Sequence, residues 1–158
     1  MAANGNVYTF SRTGMSISTA ITVLQLAAAA AKPVEILRAW ASQQTSTTSV
    51  QAGITLVRKT GAATVTIAAS TDIKKANPSD GTSSVQLGTA LTGYTATVEG
   101  TDGDQLIVDG FNILSGWLYL PVPEERIVVP GGGILGLKFL TTQTAATYSV
   151  GLTYRELG

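Results

Sequence analysis

Short runs of β-branched and aromatic residues, cut at close intervals by turn formers, constrain this chain more than any other feature. Val7-Tyr8-Thr9-Phe10 is closed by Arg12-Thr13-Gly14, and the run Ile21 to Leu26 follows. Pro33 opens the clearest strand, Val34 to Gln43. Val50, Ala52, Ile54 and Leu56 alternate with Gln51, Gly53 and Thr55 on the way to Lys59, the pattern of a half-buried strand. Thr60-Gly61 turns the chain into Ala63 to Ala68, where Val65 and Ile67 alternate with Thr64 and Thr66. Further strands are predicted over Thr95 to Val98, Gln105 to Val108, Gly116 to Leu120, Ile134 to Leu140 and Tyr148 to Arg155. Helical periodicity is nearly absent, and the one candidate, Ala27 to Ala31, is too short to stand alone. These runs predict an all-β chain: an antiparallel β-sandwich, jelly-roll-like, in one domain over residues 1–158. No internal repeat points to a propeller or solenoid.

Within Val34 to Gln43, strict alternation puts Ile36, Arg38 and Trp40 on one face and Glu35, Leu37, Ala39 and Ala41 on the other. Neither face is purely polar, so both are expected to be covered, one by the core and one by a neighbour. Two segments lack evident core anchors. One is an amino-terminal arm, Met1 to Thr13. The other is a surface loop, Ser70 to Thr92, which carries the turn formers Asn77-Pro78-Ser79-Asp80-Gly81-Thr82. Loops of that length in compact domains are usually functional or disordered. The arm and loop make Val7, Tyr8, Phe10, Arg12, Ile73, Lys74, Lys75, Asn77 and Pro78 the candidate contacts with a partner.

Composition excludes several functions. The chain has no His and no Cys, which removes the usual ligands of zinc, copper and iron. Its ten basic and ten acidic residues balance, with none of the basic excess of a nucleic-acid binder. Only 13% of residues are charged, a composition suited to permanent packing in an assembly. No apolar core follows a basic start at the amino terminus, so a secretory signal is not expected. The apolar stretch from Ile21 to Ala31 is broken by Thr22 and Gln25 and is shorter than the roughly 20 residues a bilayer requires. A protein made in a cytoplasm, without membrane or nucleic-acid partners, is expected.

Acid–base chemistry without His needs converging carboxylates. The densest cluster is Glu99, Asp102, Asp104 and Asp109. An Asp/Gly-rich solvated turn, oxygen ligation of a hard cation such as calcium by Asp102 and Asp104, and a glycosidase pair compete there. Gly131-Gly132-Gly133 leads into another apolar run rather than a helix, so it reads as a tight β-connection and not a phosphate cradle. No G-x-S-x-G occurs, and Ser nucleophiles need a base beside them. Trp40, Trp117, Tyr119 and Tyr148 fall on strand-like runs and read as packing aromatics, with a sugar-stacking face as the alternative. No catalytic residue, cofactor or metal is predicted.

The segment Glu125 to Lys138, followed by Thr144 to Glu156, resembles the closing hairpin of small tailed-phage virion proteins. Lys32 to Trp40 is similar to their early strand. That resemblance implies a head decoration, or cement, protein of jelly-roll or sandwich type. It implies a homotrimer that binds the major capsid protein on the outer surface of the virion. The alternative is a carbohydrate-binding jelly-roll module of a tail or fibre.

Overall fold

A computed structural model describes residues 5–45, 49–141 and 146–158. The expected turns at 44–48 and 141–144, and the tip of the expected arm at 1–4, lie wholly or partly outside the described residues.

The described chain forms twelve strands: β1 (Val7–Ile17), β2 (Ile21–Ala27), β3 (Val34–Gln43), β4 (Gln51–Gly61), β5 (Thr64–Ile67), β6 (Ile73–Lys75), β7 (Gly93–Val98), β8 (Thr101–Asn112), β9 (Trp117–Tyr119), β10 (Val128–Val129), β11 (Ile134–Phe139) and β12 (Ala146–Glu156). The front sheet runs β10-β3-β12-β1-β6, with β9 also paired to β3. The back sheet runs β5-β7-β2-β11-β4-β8. All the strand ladders are antiparallel. The pairing nests: β1 with β12, β2 with β11, β3 with β9 and β4 with β8, while the chain crosses between sheets. That is a hairpin of strand pairs rolled into a sandwich, which is a jelly roll.

Inward residues of both sheets build one core, including Tyr8, Phe10, Leu24, Ile36, Ile54, Leu56, Leu137, Phe139, Tyr148 and Tyr154. The β3 alternation departs from the strict pattern. A bulge falls between the pairs Ile36↔Tyr154 and Arg38↔Thr153, leaving Leu37 unpaired. The extra residue shifts the phase, so Val34, Ile36, Ala39 and Ala41 point inward while Arg38 and Trp40 face outward. Strict alternation therefore placed Ile36 with the wrong neighbours.

The β4–β8 connection is long because it carries β5, β6 and β7. The β5–β7 ribbon reaches the free side of β2, and β6 reaches the free side of β1. Ala63, Val65 and Ala96 form a second small core with Ile21. Gln25 is buried beneath this ribbon, its amide bonded to the carbonyls of Ala63 and Leu91 and to the Ala63 N–H. β2 is covered on both faces and buried at every position after Ile21, and its two polar residues, Thr22 and Gln25, are both hydrogen-bonded.

Two expectations are corrected. Residues 7–13, read both as a first strand over Val7–Phe10 and as part of a contact arm, are the first half of β1, as the strand reading has it, paired to β12 on one side and β6 on the other. The 70–92 segment is not without anchors. Tyr8 Oη donates to the Gly81 carbonyl, and the buried Glu156 accepts from Ser83 Oγ and Ser84 N, each at 2.6 Å. Tyr154 Oη bonds Ser83 Oγ at 2.7 Å, Val85 is buried, and Thr92 Oγ1 accepts from Ala27 N. Apart from Val85 and the Thr92 bond to β2, these anchors are polar side chains of β1 and β12, which a search for apolar residues within the loop misses.

Candidate functional site

Glu99 and Asp102 are already engaged. β8 begins at Thr101, so Asp102, Gly103 and Asp104 lie in an edge strand that accommodates them through register shifts opposite β4. Asp102 accepts from Lys59 Nζ with one oxygen and Lys138 Nζ with the other, both at 2.5 Å. Glu99 accepts from Thr22 N and Thr22 Oγ1, and from Lys59 Nζ at 3.1 Å. Burial pushes the Glu99 and Asp102 pKa values up. Thr22, Lys59 and Lys138 outweigh that and hold both carboxyls below their ordinary values. Burial alone lowers the Lys138 pKa; its bond to Asp102 and the charge of Glu99 turn the net shift upward.

This is a neutralised tetrad rather than a reacting pair: each acid has a resident cation, and the Lys59 side chain is wholly buried between them. It spans β2, β4, β11 and the start of β8, tying the root of the β5–β7 ribbon to the back sheet. Asp104 is exposed, and Asp109 lies elsewhere on β8, accepting from Trp117 Nε1 at 3.0 Å. The solvated turn and the Asp102–Asp104 cation pair are thus both replaced by ion pairs. Among the described residues, no group of three or more metal-ligating side chains converges.

Gly131-Gly132-Gly133 is the tight connection from β10 to β11. Gly132 has φ +74°, and a β-carbon on Gly131 would meet the Ala30 carbonyl oxygen. Gly133 lines a cleft of about 250 Å³ with Arg58, Asp104, Val129 and Pro130. The amides of Gly132 and Gly133 are spent on Ala29 and Pro130 carbonyls, so they cradle nothing.

The four aromatics part company. Tyr148 is wholly buried, with its ring 5.1 Å from that of Phe139. Trp117 is buried, and the half-buried Tyr119 stacks against it at 6.5 Å. Trp40 alone sits on the outer face of the front sheet. Its indole lies on Gly151, the residue opposite it on β12, and the Arg38 guanidinium stands 4.4 Å from the ring centroid. The ring is already engaged by two neighbours.

The predicted contact residues divide by burial. Tyr8 and Phe10 are 1% and 0% exposed, so their side chains belong to the core and are corrected as contacts. Their position on β1 between β12 and β6 turns them inward. Val7 and Ile73 are partly covered, and Ile73 packs against the core. Arg12, Lys74, Lys75, Asn77 and Pro78 are exposed around β6, with the Arg12 guanidinium over the Tyr94 ring at 4.3 Å.

Sequence reasoning missed the opposite flank. Here Leu114, Leu118, Leu120 and Val122 are 54%, 59%, 67% and 54% exposed, and Val128 is 42% exposed. β9 and β10 both lie along the same side of β3, opposite Trp40 and Glu35 respectively, so these side chains share one margin of the front sheet. A signal was present: Leu118 and Leu120 alternate with Trp117 and Tyr119, so both faces of a short edge strand are apolar. Comparison with family models, with curated proteins and with solved structures finds no match.

Proposed function

We propose that this chain is a non-enzymatic structural protein of a virion. It seats on the outer surface of a tailed-phage head as a homo-oligomer, a trimer by the sequence resemblance, and stabilises the shell of major capsid protein. The observation that carries the reading is the apolar β9–β10 margin, where five large side chains between Leu114 and Val128 remain exposed. Such a surface binds protein. The tetrad of Lys59, Glu99, Asp102 and Lys138 supports the non-enzymatic part, because its charges neutralise one another and leave no free base beside a nucleophile.

A decoration protein binds the assembled lattice and not its free subunits, so it stabilises the shell by mass action. The test is co-sedimentation of the purified chain with undecorated heads, followed by heating of the decorated heads. Saturable binding and a raised disruption temperature are expected. Leu118→Ser with Leu120→Ser keeps the fold, since both residues are exposed, and removes binding. Unchanged binding by that variant overturns the assignment of the margin.

The sugar-binding alternative has one observation in its favour, the outward position of Trp40. With Gly151 and Arg38 against its ring, Trp40 offers a glycan little free aromatic face. A glycan-array signal lost in Trp40→Ala would favour the alternative.

A further inference from the structure

No part of the Lys59 side chain reaches solvent, and its Nζ lies 2.5 Å from Asp102 Oδ1 and 3.1 Å from Glu99 Oε2. Its surroundings hold it there. Lys59 and Asp102 stand opposite each other on the paired strands β4 and β8, where facing side chains meet. The Lys59 stem passes over Gly136 of β11, at which a β-carbon would come within 3.1 Å of Lys59 Cε. Glu99 is fixed by the N–H and the hydroxyl of Thr22. The other Asp102 oxygen, Oδ2, accepts from Lys138 Nζ at 2.5 Å. An amine, the carboxyl group it would acylate, a second carboxylate and a second cation are therefore preset around one bond-forming pair.

Those are the parts of an amide condensation held at contact distance. We propose that the chain closes an internal isopeptide bond between Lys59 Nζ and Asp102 Cγ. Glu99 takes one proton from the Lys59 ammonium and passes it to Asp102 Oδ1, which leaves an amine facing a carboxylic acid and removes the buried charge of Lys59. Nζ then attacks Cγ, and Lys138 stabilises the negative charge that develops on Oδ2. A second Nζ proton follows through Glu99 to Oδ1, the Cγ–Oδ1 bond breaks, and one water leaves. Nζ keeps one hydrogen, the new amide is neutral, and the surviving charges are those of Glu99 and Lys138, 3.6 Å apart. The tetrad offers nothing to an outside substrate and performs this step once, without turnover. The inference goes beyond the virion reading and does not rest on it. The acid response of the ion pairs belongs to chains that have not closed; afterwards Glu99 is the one of the two carboxyls that still titrates. The bond joins β4 to β8 at the two ends of residues 60–101, the insertion that carries β5, β6 and β7. Tension on the ribbon then loads a covalent link rather than strand pairing, and the unfolded chain keeps a closed loop, as with a disulfide.

The experiment is mass spectrometry of the intact full chain in denaturing solvent, followed by tryptic mapping. The wild type is expected to be lighter than its sequence by one water and to yield a branched peptide that joins Lys59 to the segment carrying Asp102. Lys59→Met and Asp102→Ala are each expected to keep the full mass; the second leaves Lys59 its bond to Glu99. Glu99→Gln is expected to slow closure by at least about tenfold, followed from fresh synthesis onward. Circular dichroism checks that each variant folds, and the wild-type reading stands without them. A wild type at full mass overturns the inference. So does a water lost without a branch, as in a succinimide at Asp102-Gly103, and so does a branch from Lys59 to Glu99. Closure in Glu99→Gln as fast as in wild type overturns the role given to Glu99.

Discussion

Tyr148 is fully enclosed, and its hydroxyl has no hydrogen-bond partner among the described residues. Burial pushes its pKa up because the phenolate is disfavoured there. An unpartnered buried hydroxyl is a liability, so Tyr148→Phe is expected to leave the fold intact and to be neutral or stabilising by up to about 1 kcal/mol in urea unfolding. Gly151 shows the opposite constraint. A β-carbon there would enter the Trp40 ring, so Gly151→Ala is expected to displace the indole and cost about 1–3 kcal/mol by the same assay. Neither property is legible at its own position: Tyr148 reads as an ordinary strand aromatic, and Gly151 as a weak spot in a strand. What makes each special is a neighbour far away in the chain.

At the scale of elements, the tetrad and the Glu156 clamp hold the inserted segment in place. Glu99 and Asp102 have folded-state pKa values below their ordinary 4.5 and 3.8. A carboxyl whose pKa falls on folding stabilises the fold above its unfolded value, and that contribution disappears as pH drops through the lower folded value. Stability should therefore be insensitive to these two groups above about pH 5 and decline progressively below their unfolded values. An acid titration followed by near-ultraviolet circular dichroism, with Lys59→Met as the variant that removes the shared cation, checks this. Glu156→Ala removes the acceptor of Ser83 and Ser84 and should cost about 2 kcal/mol. It should also raise amide exchange across residues 77–86 while leaving β11 protected. An acid-induced transition unchanged by Lys59→Met would remove the tetrad from the account. The strands β3, β4, β11 and β12 were legible from their apolar and β-branched runs, although none keeps a strict alternation of burial. The polar anchoring of the 70–92 segment was not, because the Tyr8 and Glu156 hydrogen bonds reach it from β1 and β12, about 70 positions away in sequence.

For the molecule as a whole, the proposed homo-oligomer predicts a melting temperature that rises with concentration, because association favours the folded state. Differential scanning calorimetry over a hundredfold concentration range is expected to show that rise for wild type and to lose it in Leu118→Ser with Leu120→Ser. The fold class was readable from the sequence because side chains alternate across a strand, so a period of two and frequent turn residues declare a sandwich without any knowledge of partners. Balanced charge and the absence of His and Cys likewise narrowed the chemistry. The tertiary structure decided which face of each strand is inside, since a single extra residue at Leu37 reverses the phase beyond it. It also decided that Tyr8 and Phe10 lie within the core and that Asp102 is neutralised by two lysines. Alternation is local and survives in the sequence. Strand pairing, burial and ion pairing depend on strands brought together from distant parts of the chain, and those neighbours exist only once it has folded.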